Sequence, residues 1–247
     1  TGASIHSWEG LLPCLSEHFR VVAPDLPGHA GTSAGEDRVF TLEGMAEAVG
    51  ALLQALEVRP AWIIGHSAGA AVATRLCLDG HASPQGVISL NGALLPFRGP
   101  AGQFFSPMAK FLVNLPVVPA LFALQARHTD LTERLLRQTG SRPPTASVDA
   151  YRRLTRSSQH VQAALRMMAN WDLEAHERRL KDLEPPLHLV ACSQDLTVPP
   201  EQAERLARLL PNSILHRIPG LGHLGHEEDP AAFCTLIRQI IGIDTPE

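Results

Sequence analysis

The stretch Ala61-Trp62-Ile63-Ile64-Gly65-His66-Ser67-Ala68-Gly69-Ala70-Ala71-Val72-Ala73 decides the fold. An apolar run of strand type enters a Gly-x-Ser-x-Gly pentapeptide, and a run of small helix-forming residues leaves it. A serine hydroxyl becomes a useful nucleophile when its Oγ projects from a sharp strand-to-helix turn toward a base and toward backbone N–H donors. Such a turn holds Ser67 in a sparsely populated backbone conformation. Side chains two residues away on either side would collide with the turn, and Gly65 and Gly69 are read as removing them. The five letters alone occur by chance in glycine-containing loops; the strand before and the helix after give them meaning.

A serine of this kind needs an acid and then a histidine, each at the end of a later strand. Leu187-His188-Leu189-Val190-Ala191 reads as a buried strand running into Cys192-Ser193-Gln194-Asp195, with Val198-Pro199-Pro200 beyond. The next strand, Ile214-Leu215-His216-Arg217-Ile218, opens into Pro219-Gly220-Leu221-Gly222-His223, a glycine-rich loop able to carry an imidazole over the sheet edge. Ser67, Asp195 and His223 are therefore the expected catalytic residues. Asp195 alone would be read as a turn or helix-cap residue, and a lone histidine as a core or surface residue. Two rivals are set aside. His226 is placed closer to the following helix, capping it or pairing with Glu227 and Glu228. The earlier strand, Gly86-Val87-Ile88-Ser89-Leu90, ends in Asn91, which cannot ionise.

Alternation continues along the chain. Phe19-Arg20-Val21-Val22-Ala23 reads as a strand ending at the turn-rich Pro24-Asp25-Leu26-Pro27-Gly28-His29. Thr41 to Leu56 reads as a helix with Thr41 as N-cap. Helices are also expected at 68–78, 199–210 and 230–241. Strands alternating with helices predict an α/β fold with a mostly parallel sheet, helices on both faces and ligands at the carboxyl ends of the strands. After the strand at 86–90 the pattern breaks for about ninety residues, and residues 92–183 read as a helical cap on a core of 1–91 and 184–247. Helix-like pieces fall at 109–115, 121–124, 132–138, 151–156 and 160–169.

Phe97, Phe104, Phe105, Phe111, Phe122, Met108, Met167 and Met168 all fall in this insertion. Most belong in a cap core; Phe97, Phe104, Phe105, Met108, Met167 and Met168, with His66 below them, are expected to line the pocket of a bulky substrate. Residues 91–171 carry ten Arg or Lys against three acids, whereas the remainder carries eleven against twenty-two, so a positive cap covers a negative body. An anionic ligand, an acidic partner protein or an anionic membrane face would suit it. Nucleic acid is disfavoured, because aromatic residues do not interleave with the basic ones.

With 247 residues, 45% of them apolar, the chain can bury one sizeable α/β core. Its four cysteines, Cys14, Cys77, Cys192 and Cys234, show no CxxC pairing and no metal-ligand spacing. Neither zinc nor a disulfide framework is expected, and a reducing, cytoplasmic compartment is. No metal or other cofactor is called for. No signal peptide is visible, although Thr1 is not read as the natural start. The most apolar stretch, 104–126, contains Lys110, Asn114 and three prolines and is not a membrane span.

Gly65 to Ala70, Asp195 with Val198-Pro199, and Gly222-His223 resemble the α/β-hydrolase superfamily over nearly the whole length. A narrower set is similar to the magnesium-chelatase accessory proteins of bacteriochlorophyll-synthesising bacteria: Thr1-Gly2-Ala3-Ser4 with His6-Ser7-Trp8, Asn91-Gly92-Ala93-Leu94-Leu95-Pro96-Phe97, Thr139-Gly140-Ser141, Met167-Met168-Ala169-Asn170-Trp171-Asp172-Leu173, and Gly220-Leu221-Gly222-His223-Leu224. The resemblance implies an α/β-hydrolase fold and a role in tetrapyrrole biosynthesis around magnesium insertion into protoporphyrin. The local departure is Pro27-Gly28-His29-Ala30-Gly31, where relatives usually have Gly directly after the His, which puts that loop's shape in question.

Two functions follow. One is a serine hydrolase of a carboxyl ester or related acyl group, with Ser67 attacking, His223 moving the proton, Asp195 orienting the imidazole and the Ala68 N–H supplying half of an oxyanion hole. The other is a non-catalytic accessory or chaperone that binds a tetrapyrrole or magnesium-chelatase subunits. Dehalogenase and epoxide hydrolase chemistry is disfavoured because the elbow carries Ser rather than Asp. A porphyrin with propionate groups, held partly by Arg152 and Arg153, is the expected ligand, and peripheral membrane contact is a further use of the basic cap. By resemblance, Thr1 continues the loop that provides the second oxyanion donor, and the strand before it belongs between 19–23 and 61–64. The chain is thus expected to be a fragment in which those two segments lie about 10 Å apart across unpaired backbone.

Overall fold

Among the described residues four parallel strands form the sheet: β1 (Trp62–His66), β2 (Gly86–Leu90), β3 (Leu187–Cys192) and β4 (Ser213–Ile218), side by side in that order. The computed structural model describes residues 2–96, 115 and 117–243. Every residue of β2 and β3 is buried, as expected of near-continuous apolar runs covered on both faces. Register is direct, Ile64 lying opposite Ile88 in β2, and Ile88 opposite His188 in β3. The carboxyl ends of all four strands therefore come out on one edge.

Helices cover both faces. α1 (Leu12–Ser16) and α11 (Pro230–Ile241) pack Leu11, Leu15, Phe233 and Ile237 against Ile88, Leu90 and Val190. On the other face lie α2 (Leu42–Ala55), α3 (Ala68–Leu78) and α9 (Pro200–Leu209), bringing Met45, Val72, Leu76 and Leu206 onto Val87, Leu187 and Leu189. Thr41 caps α2 as its sequence suggested, its side chain accepting from Gly44 N at 3.0 Å. Between β2 and β3 run α4 (Val117–His128), α5 (Leu131–Gln138), α6 (Thr145–Thr155), α7 (Ser158–Asn170) and α8 (Leu173–Arg179). The last was not foreseen; Asp172 starts it by accepting from Ala175 N at 2.9 Å. The helix expected at 109–115 lies outside the described residues, apart from Leu115. A short α10 (Gly225–Glu228) precedes α11.

Two expectations are corrected. Residues 19–23 do not form a strand: this segment has no ladder partner, and a cavity of about 560 Å³ separates it from β1. Strand character requires a neighbouring strand, and β1, the last in the ladder, does not reach it. Cys14 and Cys234 form a disulfide across 220 residues, tying α1 to α11. Sequence spacing reveals only local pairs, whereas the fold brings the first and last helices together. In the loop at Pro27–Gly31, where no glycine follows His29, Ala30 itself adopts φ +45°. That conformation costs an alanine about 1–2 kcal/mol, and the Ala30 N–H is held there by His160 Nδ1 at 3.1 Å.

Thiol titration of unreduced protein in denaturant should find two reactive thiols, Cys77 and Cys192, rising to four after reduction. Four free thiols before reduction would remove the Cys14–Cys234 link.

Buried imidazoles set a second expectation. Burial pulls His29 and His176 down from the usual 6.5 to about 4 and His226 to about 3, and holds His66 well below its ordinary range. These rings stay neutral in the folded protein, while the unfolded chain takes up their protons below pH 6.5. The stability they contribute is fully present above pH 6.5 and is lost as pH falls toward 4. Each proton is worth about 1.4 kcal/mol per pH unit, so urea midpoints should fall steeply between pH 6.5 and 5. A flat profile there would contradict the burial of these rings.

Candidate active site

Ser67 occupies the turn from β1 into α3 at φ +52°, ψ −119°. Its N–H donates to Leu90 O at the end of β2 (3.0 Å), and its carbonyl accepts from Ala70 N (3.1 Å) and Ala93 N (3.0 Å). The strained turn is thus pinned to β2 and to the first turn of α3. A Cβ on Gly65 would stand 2.4 Å from Gly69 O and 2.5 Å from Ala70 N, so this glycine is required by the close approach of the turn. Gly69 differs from expectation, because a Cβ there meets nothing within 4 Å. Only the glycine on the strand side is sterically forced.

His223 Nε2 lies 3.0 Å from Ser67 Oγ, and His223 Nδ1 lies 2.7 Å from Asp195 Oδ2. All three side chains are buried. With the imidazole neutral, Nδ1–H donates to the carboxylate and Nε2 accepts from the serine hydroxyl. Asp195 also acts as the turn residue that its local sequence suggests: Oδ1 accepts from Thr197 N and Val198 N, both at 2.8 Å. One carboxylate oxygen shapes its own loop and the other faces the imidazole.

Two supports were not recognised from sequence. Asn91 was weighed only as an acid and rejected, yet it clamps the histidine loop. Its Nδ2 donates to His223 O (2.9 Å) and Gly222 O (3.2 Å), and its Oδ1 accepts from Cys192 N (2.8 Å). Asn91 sits at φ +45°, a region that asparagine tolerates better than most residues. The amide therefore joins the ends of β2 and β3 to the histidine loop. The second support is Thr139-Gly140-Ser141, contributed by the insertion. Thr139 O accepts from Leu196 N (3.1 Å) and His223 N (3.3 Å), while Ser141 Oγ accepts from Leu224 N (2.8 Å). At Gly140, with φ +81°, a Cβ would stand 2.0 Å from Gln194 O; one on Gly222 would stand 2.4 Å from Gly140 itself. Backbone packs on backbone here, which only glycine allows.

His66 lies beside the His223 imidazole and also lines the cavity next to β1. Its Nε2–H donates to His223 O (2.8 Å), and its ring lies 4.7 Å from that of His223 and 4.3 Å from that of His226. His226 Nε2 lies 3.9 Å from Glu227 Oε1 and contacts Ser7 Oγ at 2.9 Å, while burial lowers the pKa of the ring to about 3. Glu227, its carboxyl pushed up by burial, accepts from Ser7 Oγ and from Tyr151 OH, joining the site's underside to α6.

The other anticipated residues are dispersed. The Ala68 N–H, at the first position of α3, has no acceptor among the described residues. Met167 is fully buried in the main core cluster that also holds Trp171, and Met168 is 37% exposed. Thr1, Phe97, Phe104, Phe105 and Met108 lie outside the described residues. Arg152 is ion-paired with Glu133 and Asp149. Among the described residues no cluster of three or more His, Cys, Asp or Glu side chains is disposed to hold a metal ion, and no helix is long and apolar enough to cross a membrane.

Comparison with known proteins follows this geometry. The family model described as "alpha/beta hydrolase fold" matches residues 1–230. The magnesium-chelatase 30 kDa subunit of Rhodobacter capsulatus is 40% identical over 226 residues, covering 92% of this chain and 78% of that protein. Among solved structures, a hydrolase from Pseudomonas aeruginosa superposes with TM-score 0.74 at 25% identity, covering 98% of this chain and 86% of the other. A hydrolase from Oleispira antarctica gives 0.78 at 22% identity, covering 98% and 88%. The chain belongs to the α/β-hydrolase family.

Proposed function

We propose that this protein is a serine hydrolase of a carboxyl ester or related acyl group. The observation that carries the reading is the buried, unbroken hydrogen-bond chain from Ser67 Oγ through His223 to Asp195. Ser67 Oγ attacks the acyl carbon as His223 Nε2 takes its proton, and the proton passes to the leaving alcohol or amine. Water then attacks the acyl-serine by the same route in reverse, with His223 as base. Asp195 fixes the tautomer and stabilises the imidazolium. The Ala68 N–H donates to the developing oxyanion, a contribution of several kcal/mol when the donor is preorganised. Residues 92–183 act as a cap on a core of 1–91 and 184–247.

A second reading is favoured by the Rhodobacter capsulatus relative, whose name makes it a magnesium-chelatase subunit. In that reading the chain associates with magnesium chelatase or holds its tetrapyrrole, and the histidine–serine arrangement serves binding alone. Arg152 supports propionate binding poorly, being already neutralised by Glu133 and Asp149; Arg153, exposed on the same helix, remains a better candidate.

A fluorophosphonate probe distinguishes the two. Labelling of the protein, lost in Ser67→Ala and slowed about 10⁴-fold in Asp195→Asn, supports hydrolysis. A folded protein that takes no label, yet co-purifies with chelatase subunits, supports the accessory reading.

Asn91→Leu should separate site geometry from triad chemistry. It leaves the Cys192 N–H without its acceptor, at a cost of about 1–3 kcal/mol, and removes one of the two donors to each of the His223 and Gly222 carbonyls, which keep His66 Nε2–H and Gly225 N–H. Labelling should slow while Ser67, His223 and Asp195 remain intact, and the melting temperature should drop. Unchanged labelling and stability would reduce Asn91 to a bystander.

A further inference from the structure

Three successive N–H groups in the loop that carries His223 are all accepted from outside it. Gly222 N donates to Glu228 Oε1 (3.0 Å), His223 N to Thr139 O (3.3 Å) and Leu224 N to Ser141 Oγ (2.8 Å). Thr139 and Ser141 belong to the connection between α5 and α6. Glu228 reaches the same connection with its other oxygen, since Oε2 accepts from Arg142 N at 3.0 Å. One carboxylate thus ties the backbone immediately before the imidazole to the backbone of the insertion. Its neighbour repeats the arrangement on α6, where Tyr151 OH donates to Glu227 Oε1 at 2.8 Å. The Thr139 carbonyl adds the acid side, because Leu196 N, one residue after Asp195, also donates to it at 3.1 Å.

Among the described residues neither Gly222 N nor Arg142 N has another acceptor, and hydrogen bonds from backbone N–H to a carboxylate are roughly twice as strong as those between neutral groups. Glu228 is therefore the strongest single link between the two segments. Gly222 and Gly140 meet backbone to backbone, so a shift of the connection is passed to the loop rather than absorbed by flexible side chains. Ser67, by contrast, is fixed by β2 and by the first turn of α3. We propose that Glu228 is a positioning residue for hydrolysis: it locks the His223 loop to the α5–α6 connection, so that the imidazole meets Ser67 Oγ only while the insertion is docked. This role rests on the serine-hydrolase reading. It has a consequence for control of the site, since a ligand or partner that displaces α5 or α6 acts on His223 without contacting Ser67, Asp195 or the imidazole.

The test follows fluorophosphonate labelling of Ser67 in time to completion, in the wild-type protein, in Glu228→Ala and in Glu228→Gln. The alanine removes both contacts; the glutamine, with a single amide oxygen, keeps one and guards against a variant that fails to fold. Glu228→Ala should reach the wild-type stoichiometry of label at a rate lower by between about tenfold and a hundredfold, the range that a displacement of up to about 1 Å produces. Glu228→Gln should fall between the two. Amide exchange in Glu228→Ala should rise together at residues 222–224 and 140–142, while residues 86–90 keep their protection. A role confined to stability lowers the final stoichiometry instead, because unfolded molecules take no label, and leaves the rate of the folded ones unchanged. That result overturns the proposal, as does labelling of Glu228→Ala at the wild-type rate. A wild-type protein that takes no label removes the hydrolase reading itself, and the positioning role with it.

Discussion

The backbone of Ser67 is the constraint on which the rest depends. A non-glycine residue at φ +52° is unfavourable by itself and persists only where its surroundings fix it. Here three hydrogen bonds do so, from the Ser67 N–H to β2 and from Ala70 and Ala93 to its carbonyl. β2 must therefore lie in register beside β1, and Gly65 must lack a side chain so that α3 can begin within van der Waals reach of the strand. Once those conditions hold, Oγ projects from the carboxyl edge of the sheet, where the loops after β3 and β4 also emerge. Sheet order, helix start and hydroxyl direction follow from one strained residue.

The loops that face this hydroxyl are less self-sufficient than the elbow. Asp195 organises its own turn, but the histidine loop has little regular structure of its own and borrows rigidity from elsewhere. Asn91 holds its carbonyls from the end of β2, and Thr139–Ser141 brace it through the Thr139 carbonyl and the Ser141 hydroxyl. The insertion between β2 and β3 is thus structurally part of the site. The imidazole is thereby held from the end of β2 and from the segment 139–141 as well as by its own loop.

The sheet strands from 61 onward, the helices beside them and the trio Ser67, Asp195 and His223 were legible because each rests on a local signal: an apolar run, a cap, a glycine-rich turn, a fixed chain order. Asn91 and Gly140 were not legible as supports, since their roles come from approaches between residues 54 to 132 positions apart. The Cys14–Cys234 pair escaped for the same reason. Residues 19–23 failed differently. Their composition is that of a strand, but a strand exists only with a partner beside it, and β1 does not reach across the cavity. Met167 and Met168 show a third limit: adjacent on a helix, they point about 100° apart, so one entered the core and the other the solvent.

His66 ties the elbow to the histidine loop. It stands between Gly65 and Ser67 at the end of β1, and its Nε2–H donates to the His223 carbonyl at 2.8 Å. The same carbonyl accepts from Asn91 Nδ2 at 2.9 Å. The ends of β1 and β2 thus hold one carbonyl of the histidine loop from two directions, while the Ser67 backbone is fixed by Leu90, Ala70 and Ala93. The distance from Ser67 Oγ to His223 Nε2 is therefore set by backbone contacts on both sides of it rather than by that hydrogen bond alone.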